Sequence, residues 1–242
     1  MVLFGFCIGS FLNVCIYRLP RKQSIILPAS YCPQCNTSLN FTELIPIVSY
    51  LWQGGKCSYC KASISSRYMV VEIITGMLFL TCFYYAASNN FIKLLVFNSF
   101  LMIIAFIDYD HKLILDNVLI WFSITGLVIN FYSGDLPLFE MLSAGMAGGI
   151  ALLLIAILTK GGMGDGDIKF IAAVGLWLGL KLTILTLFLA FITGGTVSLL
   201  LLAAKRISRK DFIPFGPFIA IGAFVSALCG EVIIQWYLQS FR

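Results

Sequence analysis

Two groups of aspartates and two pairs of cysteines carry the chemistry legible in this 242-residue chain. The first group is Asp108-Tyr109-Asp110-His111-Lys112, with Asp116 close behind. The second is Gly162-Met163-Gly164-Asp165-Gly166-Asp167-Ile168-Lys169. Both stand at the edges of long apolar stretches, where an ionisable group is costly to hold and by default signals function. Two carboxylates brought together cannot both ionise easily, so they share one proton. One can then act as general base on water while the other donates to a peptide carbonyl oxygen, as in an aspartic protease. Such a pair titrates as a unit. Taken singly, each aspartate also fits an interfacial carboxylate or a helix N-cap. For Asp110 and Asp116 the expectation is that plainer role, capping or support. His111 is the only histidine, and beside Lys112 it reads as a solvated loop residue.

The glycines around Asp165 and Asp167 let the backbone leave the helix close to another helix or to a substrate strand. Asp167 is expected near the positive N-terminus of the following helix.

The cysteine pairs are Cys32-Pro33-Gln34-Cys35 and Cys57-Ser58-Tyr59-Cys60. Each CxxC knuckle presents two thiolates to one ion, and two knuckles complete a tetrahedral site with Zn–S of about 2.3 Å. Gly54-Gly55 lets the chain turn sharply before the second pair. Iron in an S4 site has the same spacing, and two disulfides are the structural alternative. Zinc is favoured because nothing nearby suggests electron transfer. Four protein ligands leave no open position, so the metal is expected to be structural and to fold a loop too small for its own core. Cys7, Cys15, Cys82 and Cys229 lie in apolar stretches and read as small buried hydrophobes.

The elements that must position these groups follow from composition. Apolar residues make up 60% of the chain and charged residues 11%, with a mean hydropathy of +0.97. A soluble domain has about 45–50% apolar and about 25% charged residues. Disorder, a secreted disulfide scaffold and an ordinary cytosolic enzyme are excluded. The expected fold is an all-α polytopic membrane protein of about eight transmembrane helices with a small cytoplasmic tetracysteine loop. The apolar stretches cover 2–17, 69–87, 91–107, 114–132, 141–158, 168–180, 182–203 and 215–238. The sixth and seventh are nearly fused at Lys181, so a count of seven is the alternative. The first stretch lacks a basic flank and a cleavage site, and reads as a retained short helix.

Basic residues orient the chain. Most of the 16 fall in alternate loops: Arg18 to Arg67, Lys112, Lys160 and Lys169, and Lys205 to Lys210. Lys93, Lys181 and Arg242 are left for the other side. This puts loop 18–68 and both aspartate groups in the cytoplasm and favours eight spans over seven. The expected domains are 1–17 as first helix, 18–68 as zinc loop and 69–242 as membrane domain.

Taken in order, these motifs resemble the prepilin peptidase family, the GxGD membrane aspartyl proteases of type IV pilus and type II secretion systems. Gly9 to Pro20 looks like the family's first-helix signature. The paired CxxC loop follows, with Ile45 to Leu51 between the pairs, and then Ile64 to Tyr68 and Val71-Glu72. Asp108 to Asp116 and Gly162 to Lys169 resemble the two aspartate motifs. The resemblance implies that Asp108 and Asp167 are the catalytic pair, because Ile168-Lys169 completes the pattern after Asp167. Asp165 is the runner-up, since Gly162-Met163-Gly164-Asp165 also reads GxGD. Leu115 stands where the family often has proline.

The resemblance further implies an inner-membrane enzyme that removes the basic leader of prepilins and pseudopilins on the cytoplasmic side. It also implies N-methylation of the new N-terminus with S-adenosylmethionine, for which no independent donor fingerprint is visible. The implied partners are these substrates and the bilayer, with no nucleic acid. Two other readings compete. A proton- or cation-coupled transporter would use the same aspartates as ion ligands, although no inverted repeat is evident. A zinc-bearing membrane adaptor would leave the aspartates unexplained. The tryptophans read as packing residues and interface anchors, and the glycines of 145–149 as permitting close helix packing.

Overall fold

Apolar runs in a bilayer must satisfy their backbone internally, and helices do this most simply. The computed structural model, which describes residues 1–85, 90–160, 162–208, 211 and 213–240, is accordingly helical. The helices are α1 (Val2–Arg18), α2 (Val48–Trp52), α3 (Arg67–Tyr85), α4 (Phe91–His111), α5 (Asp116–Ser133), α6 (Leu138–Leu158), α7 (Asp165–Ala203) and α8 (Gly216–Gln239). The end of the 69–87 stretch and the basic residues Arg209, Lys210 and Arg242 lie outside the described residues.

Six of these helices are long and apolar enough to cross a membrane, so the chain is a multi-pass membrane protein. The expected count of eight is not reached on that criterion. The 18-residue α5 is not among the six, and the sixth and seventh stretches form the single element α7.

That element is nevertheless two arms. Gly179 has φ 76° and ψ 174°, a region open essentially to glycine alone. A Cβ on Gly148 of α6 would touch both Ile171, before the break, and Thr183, after it. The chain therefore turns back at Gly179, two residues before the Lys181 that the sequence marks. Breaking the helix frees carbonyls of the preceding turn. Asn130 of α5, fully buried, donates Nδ2 to the carbonyls of Leu176 (2.9 Å) and Trp177 (3.2 Å). Lys93 donates to Asn130 Oδ1 and pairs with Asp135 at 2.9 Å.

Two substitutions test this turn. Gly179→Ala forces a Cβ into a conformation that costs about 1–3 kcal/mol. Asn130→Leu leaves buried polar groups unpaired at a cost of about 1–3 kcal/mol. Both should lower the midpoint of unfolding in detergent, and an unchanged midpoint would mean the turn needs neither residue.

The chain forms two units, Met1–Phe91 and Ile92–Arg242. In the first, α1 packs on α3 through glycines. A Cβ on Gly9 would lie 2.8 Å from Glu72 Cα, and one on Gly5 would lie 2.7 Å from Gly76 Cα. Close small-residue packing of this kind suits helices in lipid. Cys15 and Cys82 are buried, as expected, but Cys7 is exposed and Cys229 half-buried. An apolar side chain on a lipid-facing surface needs no burial in protein, which is why burial fails for these two.

In the second unit, Phe97 of α4, Phe122 of α5 and Trp177 of α7 form one aromatic cluster, with Phe122 and Trp177 stacked at 5.3 Å. Trp177 Nε1 donates to the Phe122 carbonyl at 2.8 Å. α6 and α8 pack on the two arms of α7. Among their contacts, Gly145 and Gly175 meet with no room for a Cβ on either. Gly145 and Gly148 thus serve close packing, whereas Gly149 has room for a Cβ.

Candidate functional site

Three helix ends build the site in the second unit. Asp108 lies in the last turn of α4, Asp167 in the first turn of α7 and Gly216 at the start of α8. Both aspartates are buried, at 4% exposure each, in a unit where the neighbouring acids are open to solvent. Their carboxylates lie within electrostatic reach of each other. Asp108 Oδ2 accepts the backbone N–H of Gly216 at 2.9 Å. Asp167 Oδ1 is buried without a hydrogen-bond partner among the described residues.

The local sequence explains this geometry. Gly164 is the N-cap of α7, and a Cβ there would lie 3.0 Å from Asp167 Oδ2. A Cβ on Gly166 would lie 2.9 Å from Ile114 Cβ. A Cβ on Gly216 would lie 2.7 Å from Asp108 Oδ2. None of these three has a positive φ. They are glycine for closeness, not for conformational freedom, which refines the expectation drawn from the sequence. Leu115, the N-cap of α5, has φ −79°, an angle proline also adopts. The residue at that position therefore leaves the backbone path unchanged.

The remaining acids separate cleanly. Asp165 is exposed and pairs with Lys169 at 2.7 Å, and Asp116 pairs with the same lysine at 3.0 Å. This ion-paired triangle ties the start of α5 to the start of α7. Asp116 supports the site in this way and makes no side-chain cap. Asp110 and His111 are exposed. Of the candidate carboxylates, Asp108 and Asp167 are the two that are buried, within electrostatic reach of each other, and Asp165 stays exposed in its ion pair. Gly216 is the contributor that the sequence reading missed. Its signal was a Gly-Pro pair opening an apolar run, the pattern of a helix start.

The first unit gathers the four cysteines. The Sγ atoms of Cys32, Cys35, Cys57 and Cys60 all lie within 4.8 Å of one another. A tetrahedron with Zn–S near 2.3 Å has S···S edges of about 3.8 Å, and Cys32 and Cys60 stand 3.9 Å apart. All eight cysteines are free thiols. Segments 31–38 and 56–63 fold alike. Each carries an antiparallel bridge, Tyr31 with Ser38 and Lys56 with Ser63. Each places a left-handed residue after its second cysteine, Asn36 (φ 55°) and Lys61 (φ 60°). Gly54 and Gly55 are also left-handed, as the turn requires. The Thr37 side chain and amide pull the Cys35 thiol down to about 6, and amides of Cys60 and Tyr59 lower Cys57. The bond from Ala62 to Cys60 is outweighed by burial and the neighbouring thiols, which push Cys60 up to about 11. Four thiols gathered this closely are the donor set of a structural zinc site.

Comparison with known proteins adds the following. Residues 3–86 match the bacterial peptidase A24 N-terminal domain, and residues 95–199 match the type IV leader peptidase family. A "Prepilin leader peptidase/N-methyltransferase" of Bacillus subtilis (strain 168) is 34% identical over 240 residues, spanning 99% of this chain and 97% of that protein. Proteins of the same name from Aeromonas salmonicida (strain A449) and Pseudomonas aeruginosa are each 32% identical, spanning 98% of this chain and 92% of theirs. No solved structure matches.

Proposed function

The chain belongs to the type IV leader peptidase family, and from that premise we propose that it is a membrane-embedded aspartic endopeptidase with Asp108 and Asp167 as its catalytic pair. Its substrates are prepilins and pseudopilins, whose short basic leaders it removes at the cytoplasmic face of the bacterial inner membrane. The observation that carries this reading is the convergence of two buried carboxylates from separate helix ends, while Asp116 and Asp165 stay outside in ion pairs.

The amide of Gly216 donates to Asp108, so this carboxyl group takes the acceptor's role. Asp167, with a free buried oxygen, takes the donor's. Asp108 removes a proton from a water molecule as the water oxygen bonds to the scissile carbonyl carbon. The Asp167 proton passes to the carbonyl oxygen. The gem-diol then collapses. The C–N bond breaks as the proton held by Asp108 passes to the leaving nitrogen, and a diol hydroxyl proton returns to Asp167. Each proton is accounted for, and the pair ends as it began.

The relatives' printed names support a second activity, N-methylation of the newly freed amine. S-adenosylmethionine, when bound, supplies the methyl group for that amine. Zinc held by Cys32, Cys35, Cys57 and Cys60 is proposed as a structural centre of the 18–68 loop, with no open ligand position. The division into a first helix (1–17), this loop and a membrane domain (69–242) is kept as part of the proposal. A transporter gains no support, because among the described residues only α7 is broken inside.

Purified protein in detergent, incubated with a synthetic prepilin with and without S-adenosylmethionine, tests the reading by mass spectrometry. Leader loss should occur in both samples and a methylated N-terminus only in the second. A precursor that stays intact in both overturns it.

A further inference from the structure

The loop between α1 and α3 contains a helix built inside out. α2 turns Ser49, Tyr50 and Gln53 inward, where they line the space between α1, α3 and the cysteine knuckles. Its outer side carries Val48, Leu51 and Trp52, all exposed, Trp52 by 89%. Positions i, i+3 and i+4 share one side of a helix, so these three form one apolar strip. In contact with α2, the single 3₁₀ turn Phe41–Leu44 leaves Phe41 84% exposed. A helix on the surface of a protein in water does the reverse and turns its apolar side to the core.

The level at which α2 is held accounts for this inversion. Its N-cap, Ile47, has φ 64° and ψ −51°, a strained conformation for a β-branched residue. Strain of this kind persists only where the surroundings enforce it. Here the Ile47 N–H donates to Glu72 Oε2 at 2.7 Å. Glu72 stands in the second turn of α3, about 7.5 Å along the axis from Arg67 at 1.5 Å per residue. By the same rise α3 is about 28 Å long, no longer than the ~30 Å hydrocarbon layer it must cross. A level one and a half turns inside such a helix is not open water. The exposed apolar residues of α3 start at that level, with Val70, Ile73 and Ile74. The first residue of α2 is thus fastened at the membrane boundary, and its apolar strip continues a surface that lipid already covers.

Charge on the same loop favours the same partner. Lys22 follows α1 and Lys56 follows α2, and both are exposed. Anionic headgroups attract cations placed beside spanning helices, and tryptophan settles at the headgroup level. An apolar helix face flanked by lysines is the pattern of an element lying in the interface plane. We propose that α2 and Phe41 form an interfacial anchor, with Phe41, Val48, Leu51 and Trp52 inserted at the headgroup–acyl boundary of an anionic leaflet. The cysteine loop then lies on the bilayer instead of standing in water. The inference needs only that the chain spans the membrane, and it is independent of the aspartate pair.

The test places the full chain in nanodiscs containing phosphatidylglycerol and reads tryptophan fluorescence. The parent signal minus that of Trp52→Phe isolates Trp52. That ring should be quenched by phospholipids brominated near the headgroup end of the acyl chain, less by those brominated near the methyl end, and little by aqueous acrylamide. In the same discs a Leu51→Glu/Trp52→Glu variant should be cut by protease within residues 19–66 about tenfold faster than the parent, because cutting tracks how often the loop opens, while its zinc content holds. If that variant loses its zinc, the quenching of the parent decides. A Trp52 open to acrylamide and insensitive to brominated lipid overturns the anchor. So does a ring shielded only after a peptide carrying an apolar prepilin segment is added, which makes the strip a protein-binding face.

Discussion

Asp167→Asn and Asp108→Asn each reduce leader cleavage by about 10²–10⁴-fold or more, while Asp165→Asn stays within a few-fold of the parent. The lower figure follows from what a positioned acid or base contributes to a proton-transfer step. Asparagine keeps the shape of either side chain but can neither take the water's proton nor hold the pair's own. The double variant should be no worse than the worse single, because the two groups act as one unit. Asp165 differs in kind. It is exposed, and its partner Lys169 also holds Asp116, so the support survives the change. An exposed ion pair contributes only about 0–1 kcal/mol. The measurement is the initial rate on a synthetic prepilin at saturating substrate. Asp165→Asn falling as far as Asp167→Asn would move the catalytic register, and a fully active Asp108→Asn would remove the pair.

Removing zinc is the second change of large effect. Structural zinc sites contribute an apparent ~10–16 kcal/mol of binding free energy, and that energy is folding energy for the segment that holds them. The loop has little else. Ile26, Leu27, Phe41 and Trp52 are 71–89% exposed, so they form no core of its own. Metal analysis should give about one zinc per chain and near none for a Cys32→Ser/Cys57→Ser variant. Limited proteolysis should then cut within 19–66, where the parent resists. Leader cleavage should fall less than the resistance of the loop, because Cys32 and Cys57 belong to the first unit while Asp108 and Asp167 belong to the second. A double variant that retains its full metal would refute the four-thiolate site.

Much of this was legible before any coordinates. Side chains with chemistry announce themselves in a chain this apolar, so the aspartates and the CxxC pairs stood out by contrast. Helix positions followed from hydropathy because lipid enforces long apolar runs. What escaped was carried by backbone and by shape. Gly216 acts through its N–H, which every residue but proline has, so no residue type marks it. The turn of α7 was read at Lys181 because charge is visible, but it occurs at Gly179, where φ decides. The likeness of segments 31–38 and 56–63 was hidden because only the cysteines and a closing serine recur, while the repeated object is a backbone path.

The turn at Gly179 also bears on reach. Residues 165–178 form an arm of about 21 Å at 1.5 Å per residue, short of the ~30 Å hydrocarbon layer. Residues 180–203, at about 36 Å, are long enough to cross it. The two arms of one element are therefore unequal, and Asp167 stands in the first turn of the shorter one.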